Sequence, residues 1–160
     1  MGNIVSAKKI ADTLTSDGRK TTANTVESYI QALKDAFILY EAGRYDIKGR
    51  QFLKSLEKYY VVDVGLRSLI LGERTRDLGH ILENLVYLEL IRRGYQVYIG
   101  KVGNLEVDFI AEKNGEKIYY QVAATILDPA TYEREFAPLK AIPDNYPKYV
   151  LTLDEFPMGE

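Results

Sequence analysis

Apolar residues in the first part of the chain recur at helical spacing and then alternate with polar ones. The pattern predicts a short helix over residues 7–14, a Ser-Asp-Gly turn and a second helix that begins near Thr22. The apolar positions of the second helix follow the i, i+3, i+4, i+7 spacing of an amphipathic helix and are Val26, Tyr29, Ile30 and Leu33. The segments FILYEAGRYDI and KYYVVDVGL that follow are strand-like. Two helices followed by a β-ribbon predict a winged helix-turn-helix over residues 1–72.

The strongest helical stripe lies in the second half, in RTRDLGHILENLVYLELIRRGY. A short strand, QVYIG, follows, and then a hairpin around Asn114-Gly115. The segment DPATYEREFAPLKAI predicts a helix with Asp128 as its N-cap, and PKYVLTLD predicts a closing strand. The order α-β-β-β-α-β predicts a second domain over residues 73–160, an α/β sandwich with a mixed sheet. The predicted fold class is therefore α+β or α/β.

The hairpin EVDFIAEKNGEKIYYQVA has a register that its turn determines. Asn-Gly is the preferred pair for a two-residue type I′ turn, and with that turn Asp108 lies directly opposite Gln121. Because side chains alternate along a strand, we predict both residues on a polar face, and Val107 and Phe109 on the face that packs against a helix. Cβ atoms of such pairs are about 5 Å apart. At that distance two oxygens can share one hard cation.

Composition and charge are those of a globular protein with two unlike halves. The 160 residues include no cysteine, and no apolar run is long enough for a membrane helix, so we expect a cytoplasmic protein without membrane association. Residues 1–72 carry 11 Lys and Arg against 8 Asp and Glu, whereas residues 73–160 carry 10 against 15. The basic excess of the first half permits contact with nucleic acid without requiring it.

The winged helix-turn-helix prediction supplies candidate nucleic-acid contacts. In such domains the start of the second helix enters the major groove and the wing touches the backbone. The candidate base-reading residues are Thr22, Asn24, Thr25 and Ser28. The candidate phosphate contacts are Arg19, Lys20, Arg44, Lys48 and Arg50. The alternative is a solvated charged face on a domain that contacts protein. No nucleotide site is expected, because DGRKTT lacks the glycine spacing of a phosphate-binding loop.

The segments GHILENLVYLEL, EVDF and YYQVA resemble the PD-(D/E)xK nuclease-like (restriction-endonuclease-like) fold. More closely, the chain resembles the C-terminal region of unknown function that follows the P-loop module in many bacterial and archaeal AAA-type ATPases. In that family a winged helix precedes the nuclease-like domain. The resemblance covers nearly the whole chain and is most specific over residues 79–90 and 102–123. It implies that the chain is a C-terminal fragment and that its first partner is the ATPase module of the parent protein.

The nuclease pattern can be carried over to individual residues. Glu83 matches the helix acid that assists metal binding, and Asp108 matches the metal-bridging aspartate. Gln121 stands where the pattern has Asp or Glu, and Ala123 stands where it has lysine. Carboxylates hold the Mg²⁺ that stabilises the developing charge of phosphodiester cleavage, and the lysine orients or deprotonates the water. The resemblance thus implies Mg²⁺ on Glu83, Asp108 and Gln121, in a site whose catalytic end is incomplete.

Three functions are open at this point. The first is an accessory region of an AAA-type ATPase that associates with nucleic acid and has a degenerate, inactive nuclease-like site. The second is a protein-interaction or regulatory region that does not bind nucleic acid. The third is an active Mg²⁺-dependent nuclease, in which Lys117 or Lys101 would have to replace the missing lysine. His80 is expected as a structural neighbour of Glu83, because the two are one helical turn apart.

Overall fold

The computed structural model describes residues 6–71 and 78–155. In that part of the chain, the helices are α1 (Ala7–Ser16), α2 (Ala23–Asp35), α3 (Val64–Leu71), α4 (Leu78–Arg92) and α5 (Pro129–Lys140). The strands there are β1 (Leu39–Asp46), β2 (Gln51–Val61), β3 (Gln96–Val102), β4 (Leu105–Lys113), β5 (Glu116–Val122) and β6 (Lys148–Leu151). The domain boundary predicted at residues 72 and 73 lies outside the described residues. No helix in the described ranges is both long and apolar enough to span a membrane.

The first two helices begin where their capping residues predict. Ser6 accepts a hydrogen bond from the backbone N–H of Lys9, and Thr22 accepts one from that of Thr25, each over 3.2 Å. These bonds satisfy N–H groups that have no partner inside the helix. Asp128 caps α5 in the same way, with Pro129 at its first position.

All six described strands form one sheet, in the order β2-β1-β3-β4-β5-β6. The β1–β3 and β5–β6 pairs are parallel and the other pairs are antiparallel, which confirms the α+β class and the mixed sheet. The predicted wing, β1–β2, is part of this sheet, because β1 pairs with β3 from Arg44 to Asp46. The ribbon of the first half and the strands of the second half therefore share a backbone hydrogen-bond network. The finer arrangement, a winged helix beside a nuclease-like sandwich, stays a prediction.

Helices cover both faces of the sheet. On one face, α4 contributes Tyr87 and Leu90 to a core with Tyr60 and Phe109. On the other face, Leu139 of α5 belongs to a second core, and the strand residues buried with it are Ile47, Val102, Val107, Ile110 and Tyr119. We call these the α4 face and the α5 face.

A β-bulge in β4 overturns part of the predicted alternation. Tyr98 of β3 lies opposite Ile110, but Gly100 lies opposite Val107, so β4 has one residue more than β3 between the two pairs. Val107 is therefore buried with Ile110 on the α5 face, while Phe109 is buried on the α4 face. The prediction that Val107 and Phe109 share a face was wrong, because a bulge reverses the alternation beyond it.

Candidate functional site

The β4–β5 hairpin has the register that its turn predicts. Phe109 lies opposite Tyr120, and the same offset continues to the turn. Asn114 and Gly115 have φ values of 54° and 80°, the left-handed backbone that a type I′ turn requires. Regular backbone pairing of β4 and β5 runs from the turn to Phe109. At Asp108, next to the candidate site, hydrogen bonds between backbone and side chains replace it.

Asp108 and Gln121 meet as predicted, and each bonds to the backbone of the opposite strand. The Asp108 N–H donates to Oε1 of Gln121 over 2.7 Å, and the Val122 N–H donates to Oδ2 of Asp108 over 2.8 Å. Nε2 of Gln121 donates to Oε2 of Glu135 on α5 over 3.0 Å. The Gln121 amide therefore uses both its carbonyl and its amino group to join β4, β5 and α5. Its oxygen is engaged in this brace and is not directed at a shared cation.

A buried lysine that the sequence did not single out lies at the centre of the acidic residues. Lys58 comes from β2, and its Nζ is 3.0 Å from Oε1 of Glu83 and 2.6 Å from Oε1 of Glu106. Only 4% of Lys58 and 7% of Glu83 are exposed. The Tyr60 hydroxyl donates to the same Glu83 oxygen over 2.6 Å. We call Lys58, Tyr60, Glu83, Glu106 and Asp108 the Lys58 cluster.

The charges of the cluster are strongly coupled. Burial lowers the pKa of Lys58, but Glu83, Glu106 and Asp108 outweigh it, so the pKa lies above its ordinary value and the ammonium is charged. Burial, together with the charge of Glu83, raises the pKa of Asp108 to about 7, against the opposing effects of the Val122 N–H and Lys58. The Asp108 carboxyl is thus near its titration midpoint at neutral pH, whereas an ordinary aspartate is fully ionised.

Helix α4 is held against β2 beside the cluster. The Asn84 side chain accepts from the Val61 N–H over 2.9 Å and donates to the Val61 carbonyl over 2.8 Å. A buried amide that pairs with both backbone groups of one residue mimics a strand partner. This pairing sets the position of the adjacent Glu83 opposite Lys58 and Tyr60.

Arg44 also turns toward this cluster. One of its terminal nitrogens is 3.9 Å from Oε2 of Glu106, and only 13% of its side chain is exposed. Its Nε is buried and has no hydrogen-bond partner among the described residues. Arg44 therefore lies apart from the other predicted phosphate contacts, since Arg19, Lys20, Lys48 and Arg50 are exposed.

The donor set that the resemblance implies for Mg²⁺ does not fit the cation as it is arranged here. Oε1 of Glu83 is shared by Lys58 and Tyr60, and Oε1 of Gln121 accepts from the Asp108 backbone. Within residues 6–71 and 78–155 there is no group of three or more His, Asp or Glu side chains that could hold a metal ion. Mg²⁺ prefers six oxygen ligands in near-octahedral geometry, and the Lys58 ammonium already contacts Glu83, the helix acid of this donor set.

Neither of the lysines considered from the sequence forms an ion pair with Asp108 in the described part of the chain. Nζ of Lys117 lies over the ring of Tyr45, 4.9 Å from its centroid, and 3.8 Å from a Glu112 oxygen. Lys101 lies opposite Asp46 of β1 and opposite Glu106 of β4, two positions along β4 from Asp108. The lysine nearest the acids is Lys58, which sequence reasoning missed. Its signal was an alternation in LEKYYVVDV that puts Lys58 on the same side of β2 as the inward-facing Tyr60.

The predicted base-reading residues lie in the first turns of α2, and the hydroxyls of Thr22, Thr25 and Ser28 are all in local hydrogen bonds. Thr22 caps the helix, and its Oγ1 is 2.9 Å from Oγ1 of Thr25. The Ser28 hydroxyl donates to the Asn24 carbonyl over 2.9 Å. The exposed residues among the predicted phosphate contacts lie in two turns, Arg19 and Lys20 between α1 and α2, and Lys48 and Arg50 between β1 and β2.

Comparison with known proteins places the chain among sequences of unknown function. A family model described as a domain of unknown function, DUF8612, matches residues 1–77. An uncharacterized protein of Haemophilus influenzae is 42% identical over 152 residues, which are 95% of this chain and 37% of that protein. The uncharacterized protein MJ1544 of Methanocaldococcus jannaschii is 34% identical over 112 residues, 68% of this chain and 24% of that protein. The matched part thus covers little more than a third of the first relative and about a quarter of the second. No solved structure matches it significantly.

Proposed function

We propose that the chain is a nucleic-acid-associated accessory region of an AAA-type ATPase, and that its nuclease-like centre does not hydrolyse phosphodiesters. The observation that carries the proposal is the Lys58 cluster. It gathers the helix acid Glu83 and the hairpin acid Asp108 at the edge of one hairpin, as the nuclease pattern requires. Beside them it holds the ammonium of Lys58, which contacts the carboxylates of Glu83 and Glu106.

The position of the ammonium is the reason to propose an inactive centre. In metal-dependent cleavage, the cation between the acids neutralises charge that develops on the phosphate. Lys58 already neutralises the carboxylates and keeps their oxygens in hydrogen bonds. A phosphate would have to displace these bonds to reach the ammonium, so the cluster is suited to holding β2, α4 and β4 together.

The association with nucleic acid is supported by the exposed basic turns. Arg19 and Lys20 flank the start of α2, which is the geometry in which a helix-turn-helix makes backbone contacts. The link to an ATPase rests on the sequence resemblance. The lengths of the two relatives agree with this link. In each of them, nearly two thirds of the protein or more lies outside the matched part, which leaves room for a further module.

The test is a titration of the chain with labelled duplex DNA at increasing salt, next to a cleavage assay with Mg²⁺ or Mn²⁺. We expect binding that weakens as salt rises, because phosphate contacts release counterions. We expect the double variant Arg19→Gln with Lys20→Gln to weaken binding, and Lys8→Gln with Lys9→Gln, exposed on α1, to serve as the charge-matched control. Affinity that does not respond to salt would contradict the proposal. Cleavage by the wild type that Asp108→Asn abolishes would show an active nuclease instead.

A second candidate function, a protein-interaction region, is favoured by one observation. A groove of about 430 Å³ between α4 and the β5–β6 edge is lined mainly by apolar side chains, among them Leu85, Val86, Tyr95, Tyr120 and Leu151. Exposed apolar grooves of this kind are typical of surfaces that bind other proteins. Under this alternative, the wild type binds the ATPase module and the Leu85→Glu variant does not. Neither the wild type nor the variant binds DNA.

A further inference from the structure

Three aromatic rings from adjacent strands form a cluster on the α5 face, away from the Lys58 cluster. Tyr45 of β1 lies directly opposite Phe52 of β2, and their ring centroids are 5.1 Å apart. Phe52 also meets Tyr98 of β3, at 5.0 Å between centroids. Both contacts are edge-to-face, with interplanar angles of 71° and 68°. The rings hold one another in a favourable geometry without filling the core.

The cluster extends past the part of the sheet that α5 covers. Helix α5 packs on β4, β5 and β6, and Tyr45 and Tyr98 are partly buried at the margin of its core. Phe52 lies beyond that margin on the edge strand, and 57% of it is exposed. The free energy of exposing an aromatic ring to water is unfavourable and grows with its apolar area. An exposed ring that is held in place by two others therefore indicates a contact surface.

Two cations border the rings. Nζ of Lys117 lies over the Tyr45 ring, and Arg50 lines the same cavity of about 380 Å³ as the three rings. Arg50 has a φ of 52°, and the turn that carries it is tied by Asp46, whose Oδ1 accepts from the N–H groups of Lys48 and Gly49. The arginine is therefore presented from a fixed turn. Glu112 is the acidic residue that lines this cavity, and Lys117 is 3.8 Å from it.

We propose that Tyr45, Phe52 and Tyr98, with Arg50 and Lys117, form a binding platform for single-stranded nucleic acid. This inference rests on the proposed association with nucleic acid and names a second surface and its substrate class. An unpaired base stacks on the exposed face of Phe52, and Arg50 and Lys117 contact the phosphates on either side. Exposed rings that alternate with cations recognise single strands of any sequence, because every base has a π-face and every nucleotide a charge. A duplex hides its base faces, so it cannot stack on the platform.

The chain contains no tryptophan, which allows a direct test of stacking. Phe52→Trp gives the protein one indole at the platform, and its fluorescence is titrated with an oligothymidylate of about 16 nucleotides. We expect saturable quenching as a base stacks on the indole. Tyr149→Trp is the matched control, since Tyr149 is 51% exposed and stacks on Tyr120 at the opposite edge of the sheet. We expect no saturable quenching there.

Affinity measured by anisotropy of the labelled strand gives the second readout. We expect Phe52→Ala to weaken binding about 5- to 100-fold, as loss of one stacked base does, and Phe52→Tyr to retain it. Arg50→Gln and Lys117→Gln should each reduce the salt slope by about one phosphate contact. All these positions are exposed or border the surface, so the circular dichroism spectra of the folded variants should match that of the wild type.

The outcomes separate the platform from the function on which it rests. If the wild type binds duplex DNA in a salt-dependent way but the Phe52→Trp variant shows no saturable fluorescence quenching, the platform is overturned and the proposed function stands. If neither duplex nor single strand binds, both are overturned. If Phe52→Ala changes the sedimentation of the protein and leaves oligonucleotide affinity intact, the rings bind a second copy of the chain, and the platform is again overturned.

Discussion

The amide of Gln121 donates from Nε2 to Oε2 of Glu135 over 3.0 Å while its Oε1 accepts the Asp108 N–H over 2.7 Å. Both partners are specific to an amide, because a carboxylate at position 121 could accept from the backbone but could not donate to Glu135. Gln121 and Glu135 are both buried. The glutamine that departs from the nuclease pattern is therefore explained by the acid on α5 that faces it.

Replacing this amide by an acid should destabilise the fold. In Gln121→Glu two buried carboxylates face each other, so the pair must take up a proton or keep an unpaired buried charge, and we expect a loss of about 3 kcal/mol of unfolding free energy at pH 7. Urea denaturation measures it. The double variant Gln121→Glu with Glu135→Gln restores the pair in reverse and should recover most of the loss. If Gln121→Glu alone is as stable as the wild type, the bonds of the Gln121 amide to Asp108 and Glu135 do not stabilise the fold as proposed.

Removing the ammonium of Lys58 should be among the most damaging polar substitutions in the chain. Lys58→Met keeps the length of the side chain but leaves Glu83 buried without its cation, and breaking a buried ion pair in this way costs about 3–5 kcal/mol. Chemical denaturation at neutral pH measures the effect. Lys54→Met, at an exposed position of the same strand, should change stability by no more than about 0.5 kcal/mol. Adding Glu83→Gln to Lys58→Met should restore part of the loss, since it removes the unpaired charge.

The carboxyl of Asp108 should make stability depend on pH. Its pKa is raised to about 7 in the folded protein from an ordinary 3.8, so the folded state binds the proton more tightly than the unfolded chain. This contribution is complete below about pH 4 and is lost as pH rises through 7, with an upper limit of about 4 kcal/mol. The groups that face Asp108 and set this shift are Glu83, Lys58, Glu135 and the Val122 N–H.

The measurement is a series of urea denaturations between pH 5 and 8, with Asp108→Asn as the comparison. The asparagine keeps an acceptor for the Val122 N–H but does not titrate, so its stability should vary less over this range. Equal pH dependence in the two proteins would show that another group is responsible.

A methyl group added at Gly100 should destabilise the protein, because the core of the α5 face leaves no room for it. A Cβ built there would lie 2.8 Å from Cβ of Val107, 3.2 Å from Ile47 and 3.3 Å from Ile110. We expect Gly100→Ala to cost about 1–3 kcal/mol through overpacking, measured as a lower melting temperature. Gly43→Ala on β1 is the control, because a Cβ at that position meets nothing within 4 Å. Similar melting for both variants would mean that the bulge beside Val107 relaxes to make room.

The sequence by itself determined the local structure of this protein. The helix starts at Ser6, Thr22 and Asp128 follow from side chains that cap N–H groups of their own helix, and the β4–β5 register follows from Asn114-Gly115. The encounter of Asp108 with Gln121 could be predicted for the same reason. Each of these outcomes depends on residues close together in the chain.

Only the tertiary structure decided which distant residues complete the site. Lys58 and Glu83 are 25 positions apart, and they meet because β1–β2 joins the sheet beside β3 while Asn84 fixes α4 to β2. The bulge that separates Val107 from Phe109 leaves no mark in the alternating pattern, since one extra residue in a strand shifts faces without changing residue types. The partner that accounts for Gln121, Glu135, comes from a helix packed across the sheet. Periodicity predicts elements, but the packing of those elements decides which buried charges are paired.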